Sequence, residues 1–197
     1  MSKLTLDQFE HYDVSKLNHA QLHELIYEFY ITHQDITKWS LCNWRLSSSL
    51  KSLDYLFSFC YNLVDIDISG WNTEEIRTAD NMFLACEDLK RVSMRNVSFD
   101  ALASSIHMFC NCEMLDTIIT DWPIVRVLTG GDVETFGGST NINNIHFLVP
   151  NGDSFNSVVF TVDNSTHEIT DPDVTTITRD YEQEIVSDVY DRCIECE

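Results

Sequence analysis

The sequence predicts an α/β repeat fold, a short solenoid of stacked strand-and-turn units, and three observations support this prediction. The pattern Phe-x-x-Cys-x-x-Leu starts at Phe57, Phe83 and Phe109, a period of 26 residues. Two of these copies continue into alternating apolar residues at 66–68 and 92–94. Both flanks instead show helical or hairpin periodicity, as capping segments do. A period of about 20–29 residues with a leucine-rich core is typical of leucine-rich-repeat solenoids, whose units bury apolar surface only by stacking.

Residues 1–32 are predicted to form an N-terminal helical cap. Asn18 and Gln21 have the spacing of a capping box, which satisfies two backbone donors at a helix start. Apolar residues then recur at helical spacing, which places them on one stripe. The stripe consists of Leu22, Leu25, Ile26, Phe29 and Tyr30. We expect this stripe to seal the open end of the first repeat unit.

Residues 33–150 are predicted to form the solenoid, with about five units of which the outer two are degenerate. When the repeat offsets are held fixed, the first unit starts at Tyr30 and the fifth at Phe136, which places the strand of the fifth unit around Ile145. Trp44 and Trp71 follow the strands of the first two units, where a large ring can cover the layer below.

The strand of each unit is predicted to alternate between core and surface positions. The outward positions across the five units form a strip of mixed charge, which we regard as the first candidate binding surface. From this strip the candidate partner-binding residues are Asp65, Asp67, Arg91, Arg95, Ile119, Asp121, His146 and Leu148.

Residues 151–197 are predicted to form an acidic C-terminal cap or tail. Residues 158–162 and 166–170, around a turn at 163–165, have the pattern of a β-hairpin that ends at Pro172. Residues 180–191 have helical spacing, with Ile185, Val186, Val189 and Tyr190 on one side. The opposite side supplies the remaining candidate partner-binding residues, which are Asp180, Glu182, Glu184, Asp188 and Asp191.

The charge balance limits the partners that the chain can bind. With 32 acidic and 12 basic residues the formal net charge is −20. This opposes direct binding to nucleic acid or to an anionic membrane, because phosphate contacts require Lys and Arg. A partner is therefore expected to be a protein with a basic surface. No apolar stretch reaches the roughly 18 residues of a membrane span, and the N-terminus lacks a signal peptide, which favours a cytoplasmic protein.

The seven cysteines are not expected to form a disulfide framework. Cys60, Cys86 and Cys112 share one repeat position, where they are expected to be packed as small buried groups rather than to bind a metal. Cys193 and Cys196 have redox or zinc spacing but lack completing ligands nearby, so they are interpreted as exposed thiols without a function.

One further motif links the copies to a known family. The runs Met82-Phe83-x-x-Cys86-x-x-Leu89 and Met108-Phe109-x-x-Cys112-x-x-Leu115, with residues 68–73 reading Ile-Ser-Gly-Trp-Asn-Thr, resemble the BspA-type leucine-rich repeat. The resemblance covers residues 36–122, and more loosely continues to 148. It implies a repeat scaffold without catalytic repeat residues, in a family that consists mostly of surface or secreted adhesins and also occurs in viruses and mobile elements.

The motifs of common catalytic sites are missing from the sequence, which reads as a non-enzymatic protein without a cofactor or metal. His19 and His23, one helical turn apart, are interpreted as part of a solvated helix face. We expect a binding module that docks a basic protein. One alternative is an acidic inhibitor that imitates nucleic acid and blocks the basic channel of a nucleic-acid enzyme. The second alternative is a surface adhesin fragment.

Overall fold

A computed structural model describes residues 4–121, 135–136, 144–151, 154–161 and 173–177, with Phe147 the one side chain described in the last three ranges. Within these ranges, two helices precede a single sheet. The helices are α1 (Leu6–Glu10) and α2 (His19–Thr32). The strands are β1 (Lys38–Ser40), β2 (Asp65–Asp67), β3 (Arg91–Met94), β4 (Thr117–Thr120), β5 (Asn144–Asn151), β6 (Ser154–Thr161) and β7 (Asp173–Ile177).

Helix α2 confirms the predicted N-terminal helix and its start. The Asn18 side chain accepts a hydrogen bond from the backbone of Gln21, and the Gln21 side chain accepts one from the backbone of Asn18. The capping box predicted from these two residues is therefore present. Leu22, Ile26 and Phe29 are buried, as the apolar stripe predicts.

Helix α1 was not predicted from the sequence. It begins with a second capping box, formed by Thr5 and Gln8. Its Phe9 is fully buried and stacks on Phe29 of α2 with ring centroids 3.8 Å apart. The Trp44 indole N–H donates to the carbonyl oxygen of Phe9 over 3.0 Å. The two helices are thus joined to each other and to the turn that follows β1.

The parallel part of the sheet repeats at the period of the sequence. Strands β1 to β5 lie in chain order and are parallel. Asp65 of β2 aligns with Arg91 of β3, which aligns with Thr117 of β4, two steps of 26 residues. One line of buried side chains crosses these strands, namely Trp39, Ile66, Val92, Ile118 and Phe147.

The predicted register of β5 is wrong by two residues. Phe136 takes the expected place of a fourth ring, because it stacks on Phe109 at 5.5 Å. Ile118, however, aligns with Phe147 instead of Ile145. The segment between Phe136 and the strand therefore holds two residues more than in the other units. A shift of two preserves the sheet face of each residue, since side chains alternate with a period of two.

The repeated Phe and Trp positions form ladders through the core. Phe57, Phe83 and Phe109 are fully buried, and their neighbouring rings are nearly parallel at 5.1 and 5.2 Å. The Trp71 ring stacks on that of Trp44 at 6.0 Å, and its N–H donates to the carbonyl oxygen of Leu41 in the preceding unit. The prediction that these tryptophans cover the layer below is confirmed.

The C-terminal strands differ from the predicted hairpin. Strand β6 contains residues 158–161 as predicted, but it pairs antiparallel with β5 on one side and with β7 on the other. Its partner strand β7 begins directly after Pro172, where the prediction ended the hairpin. The boundary predicted between residues 150 and 151 falls within the paired β5 and β6, so the sheet continues through it.

Candidate interaction surfaces

We call the outward positions of β1 to β4 the strand face, and its first row is an ion-pair ladder. The Asp65 carboxylate lies between two cations, with Lys38 Nζ 3.4 Å from Oδ2 and Arg91 Nε 2.8 Å from Oδ1. A second Arg91 nitrogen, Nη2, lies 3.3 Å from Oδ2, so the Arg91 contact is bidentate. Asp65 and Arg91, both predicted to contact a partner, are therefore paired with each other within the chain.

The second row of the strand face is buried, which corrects the predicted alternation of core and surface. Asp67 is 8% exposed and Ile119 only 3%, although both were predicted to face a partner. Ser93, between them in the ladder, is 4% exposed. A strand residue alternates in direction with its neighbours, so these side chains face away from the core line and are nevertheless covered.

Two further strand-face candidates, Asp121 and Arg95, take part in contacts within the chain. The Asp121 carboxylate accepts a hydrogen bond from the backbone N–H of Asn96 over 2.7 Å and so supports the turn after β3. Arg95 is partly buried, and its backbone N–H donates to the Ser69 hydroxyl.

His146 aligns with Thr117 and Leu148 with Ile119, each two residues from its predicted alignment with Ile119 and Asp121, because of the shifted register of β5. The other candidates, Asp180, Glu182, Glu184, Asp188 and Asp191, lie outside the described residues.

A different surface, on the turn that precedes β2, was missed by sequence reasoning. Tyr55 and Phe59 are each 47% exposed and Tyr61 is 46% exposed. The rings of Phe59 and Tyr61 lie 6.0 Å apart. All three large rings are in contact with solvent on this turn.

The backbone at this turn is unfavourable for the aromatic residues that occupy it. Tyr55 has φ 59° and Phe59 has φ 64°, both in the left-handed region. That region costs an ordinary L residue roughly 1–2 kcal/mol, whereas Asn tolerates it best. The later units have the same conformation at the equivalent positions, which are occupied by Asn81 and His107 and by Ala85 and Asn111. A comparison between copies at these positions would have singled out Tyr55 and Phe59.

Helix α2 extends this surface, because it lies beside the same turn. The Tyr61 N–H donates to the Tyr30 hydroxyl oxygen over 3.1 Å, which joins the C-terminal half of the helix to the turn. Tyr27 and Ile31 flank Tyr30 on the helix and are 53% and 47% exposed. We call Tyr27, Ile31, Tyr55, Phe59 and Tyr61 together the aromatic turn surface.

Exposed carboxylates belong to the segments that carry or adjoin the aromatic turn surface. Glu24 and Glu28 are exposed on α2, one turn from each other and close in sequence to Tyr27. Glu87 and Asp88 are exposed in the next unit, where the Asp88 N–H donates to the carbonyl oxygen of Tyr61. The apolar rings therefore lie in a negatively charged environment.

The two histidines of α2 have separate contacts. His19 Nε2 lies 2.8 Å from the carbonyl oxygen of Asp54 and so joins the N-terminal half of α2 to the turn. The His23 ring is parallel to that of Tyr27 at 6.4 Å. Burial lowers the pKa of His23, and the neighbouring His19 lowers it further, which favours the neutral ring.

The thiols at the repeated Cys position are part of the core, as predicted. Cys60, Cys86 and Cys112 are buried and are not disulfide-bonded. The Cys86 thiol donates to the carbonyl oxygen of Phe57, and the Cys112 thiol donates to that of Phe83, each over 3.1 Å. Burial raises the pKa of Cys60 to about 12 and that of Cys86 well above its usual value. These thiols are protonated packing groups.

Cys42 differs from these buried thiols. This cysteine follows β1 and is 5% exposed, and it is disulfide-bonded. Cys60, Cys86, Cys110 and Cys112 are not disulfide-bonded, so the partner of Cys42 is not among the described residues. The sequence could not indicate this bond, because Cys42 lies outside the repeated Cys position.

Searches for other kinds of site give two findings about the described part of the chain. Its His, Cys, Asp and Glu side chains do not form a group of three suited to hold a metal ion. Its helices are all too short or too polar to cross a membrane.

Comparisons with known proteins give one match. Neither the curated proteins nor the solved structures contain a match to this chain. The family described as "Mycoplasma protein of unknown function, DUF285" matches residues 2–122, which include both helices, strands β1 to β4 and the aromatic turn surface. This match spans more than half of the 197 residues, and the chain therefore belongs to that family.

Proposed function

We propose that this chain is a non-enzymatic protein-binding module built on a short leucine-rich-repeat solenoid of the BspA type, and that it docks its partner through the aromatic turn surface. The 26-residue register of β2, β3 and β4 supports the repeat architecture. The stacked Phe rings at the same period support it as well. The matching family is related to BspA-like repeat proteins, which supports the assignment to that type.

The binding role rests on one observation, the presence of exposed aromatic rings at strained positions. Folding does not explain them, because Tyr55 and Phe59 are about half exposed and occupy a backbone conformation that opposes their residue type. Asn81 and Asn111 fill equivalent positions in the later units without this conflict. Strain of this kind persists where another role requires it, and exposed aromatic rings are enriched among the residues that dominate protein interfaces.

The chemistry of the surface indicates the partner. Tyr and Phe rings attract Lys and Arg side chains through cation–π contacts. The exposed Glu24, Glu28, Glu87 and Asp88 attract the same cations over a longer range. We therefore expect a basic protein surface with apolar groups at its centre. Its association should slow and weaken as salt is raised from low to physiological concentration, because screening reduces the charge attraction.

The test is a double substitution that gives this turn the residue type of its equivalents. Tyr55→Asn with Phe59→Asn should weaken binding of a partner, captured with the wild-type chain and then purified, at least about tenfold. The folded state should change in stability by no more than about 1 kcal/mol, because Asn suits the left-handed backbone and offsets the lost ring contacts. Titration calorimetry and urea unfolding measure the two effects separately.

A matched control uses exposed apolar residues elsewhere on the chain. Ile106 and Met114 are 46% and 48% exposed, and both follow β3. Ile106→Asn with Met114→Asn should leave the affinity within about twofold. Equal affinity of the wild type and the Tyr55/Phe59 double variant would refute the proposed surface. Release of the partner by added DNA would instead favour the nucleic-acid-mimicking inhibitor, because a mimic competes with DNA for one site.

A second candidate function, a binding protein at the cell surface, is favoured by the disulfide at Cys42. Disulfides persist in oxidising compartments and are rare in the cytosol. The test is differential alkylation of the chain in intact source cells. If a membrane-impermeant maleimide labels the chain and Cys42 is still oxidised, the surface role is supported. If Cys42 is reduced, a cytoplasmic location is supported instead.

A further inference from the structure

The turns that precede β2, β3 and β4, at residues 53–59, 79–85 and 105–111, are joined by a ladder of main-chain hydrogen bonds. Alternate N–H groups of the first turn donate to alternate carbonyl oxygens of the second turn. The donors are Leu53, Tyr55, Phe57 and Phe59, and the acceptors are Thr78, Asp80, Met82 and Leu84. The second turn donates to the third at the equivalent positions. Each turn therefore directs its acceptors toward the unit that precedes it.

The first turn is preceded by helix α2 instead of another turn, so its own acceptors are at the open end of the ladder. By equivalence, these acceptors are the carbonyl oxygens of residues 52, 54, 56 and 58. The Asp54 oxygen lies 2.8 Å from His19 Nε2, and Leu56 is only 1% exposed. Ser58 is partly exposed, and no donor from the described residues forms a hydrogen bond with its carbonyl oxygen. This oxygen is therefore an available acceptor.

Aromatic rings and a carboxylate residue adjoin this acceptor. Phe59 follows Ser58 directly, and the rings of Phe59 and Tyr61 are 6.0 Å apart. The Asp88 N–H donates to the Tyr61 carbonyl oxygen over 3.0 Å, which places the exposed Asp88 beside Tyr61. A hydrogen-bond acceptor, two exposed rings and an anion thus belong to neighbouring residues of the aromatic turn surface.

The combination is specific to the first of the three described turns. In the later turns, the Leu84 oxygen accepts from Phe59 and the Cys110 oxygen accepts from Ala85, so both acceptors are occupied within the chain. The residues that follow them are Ala85 and Asn111, neither of which has a large ring. The open acceptor and the exposed ring therefore occur together where the ladder ends.

We propose that the Ser58 carbonyl oxygen and the rings of Phe59 and Tyr61 form a subsite for the guanidinium group of an arginine on the basic partner, an inference that rests on the proposed function. A guanidinium group is planar and has five N–H donors, so it can stack on a ring while it donates to a carbonyl oxygen. A further donor remains for the carboxylate of Asp88. The ammonium group of lysine is a compact, strongly hydrated charge that does not stack. The subsite therefore selects arginine over lysine.

Titration of the full wild-type chain with three capped tripeptides tests this selection. Each peptide is acetyl-Gly-X-Gly-amide, where X is arginine, lysine or citrulline, which has the shape of arginine without its charge. The arginine peptide should bind at least about fivefold more tightly than the lysine peptide and about tenfold more tightly than the citrulline peptide. In an HNCO spectrum, which detects the Ser58 carbonyl carbon through the N–H of Phe59, the arginine peptide should shift this carbon.

A pair of variants checks the location. Phe59→Asn should weaken binding of the arginine peptide at least about threefold, whereas Met114→Asn, at another exposed apolar position, should leave it unchanged. The amide spectrum of each variant reports whether it is folded.

Absence of binding by the arginine peptide, equal affinity for the lysine peptide, or binding without a shift of the Ser58 carbonyl carbon would each overturn the subsite. The proposed function fails on a different measurement, an unchanged affinity of the Tyr55/Phe59 double variant for the captured partner.

Discussion

Removing the ring of Phe83 should cause a large loss of stability, because this side chain is the centre of the Phe ladder. It is fully buried, and its ring faces Phe57 at 5.1 Å and Phe109 at 5.2 Å. Replacing a buried Phe by Ala costs about 3–5 kcal/mol, from lost transfer free energy and from the cavity that remains. Since a domain has a free energy of unfolding of about 5–15 kcal/mol, Phe83→Ala should still fold but with a much reduced margin.

A second substitution separates ring stacking from apolar volume. Phe83→Leu retains most of the buried volume but loses both ring contacts. Aromatic pairs contribute about 0.5–1.5 kcal/mol each beyond their buried area, so two pairs predict a cost of about 1–3 kcal/mol. The order of stability should therefore be wild type, Phe83→Leu and Phe83→Ala. A well-packed ladder requires this order, and a loosely packed core would give similar values for both variants.

Urea unfolding followed by tryptophan fluorescence is a suitable assay, because Trp39, Trp44 and Trp71 are buried in the same core and report its loss. Phe59→Ala is the matched control, since Phe59 is 47% exposed and should change the free energy of unfolding by about 1 kcal/mol or less. If Phe83→Ala costs no more than Phe59→Ala, the ring ladder is not the core of the fold.

Three further predictions concern charge, titration and capping. Asp65→Asn should cost about 1–3 kcal/mol in urea unfolding, because it leaves two partly buried cations without their carboxylate, whereas Glu75→Gln in an exposed pair should cost at most about 0.5 kcal/mol. The raised pKa of Cys86 keeps its thiol protonated in the folded state, so stability is complete below the unfolded thiol pKa of about 8.5 and falls as pH rises above it. Cys86→Ala should flatten that alkaline slope by up to about 1.4 kcal/mol per pH unit. Asn18→Ala should cost about 1 kcal/mol by removing the side-chain acceptor of the α2 capping box, and chemical denaturation measures this loss.

The features that the sequence predicted well are those fixed by local or periodic rules. The capping box of α2 follows from two residues three positions apart, and it is present at Asn18 and Gln21. The alignment of Asp65 with Arg91 follows from the 26-residue period. Stacking requires equivalent residues to be neighbours, so one period determines many contacts together.

The features that the sequence did not predict depend on contacts between distant segments. Asp67 and Ile119 have outward positions in their strands, but they are only 8% and 3% exposed, which the alternation of a single strand does not predict. The register of β5 depends on where Phe147 joins the core line, which fixed repeat offsets cannot anticipate once two residues are inserted. Helix α1 is only five residues long, too short for periodicity to reveal it.

The pairing and burial on the strand face support the proposal that a partner binds at another surface. The repeated positions of each unit serve folding, so a role specific to this chain must lie where the units differ. On the strand face the differences are used within the chain, as the pairing of Asp65 with Arg91 demonstrates. On the turn they place Tyr55 and Phe59 in solvent, in a backbone conformation that suits neither. We therefore expect a second protein to bind at the aromatic turn surface, where binding leaves the ion pairs of the strand face intact.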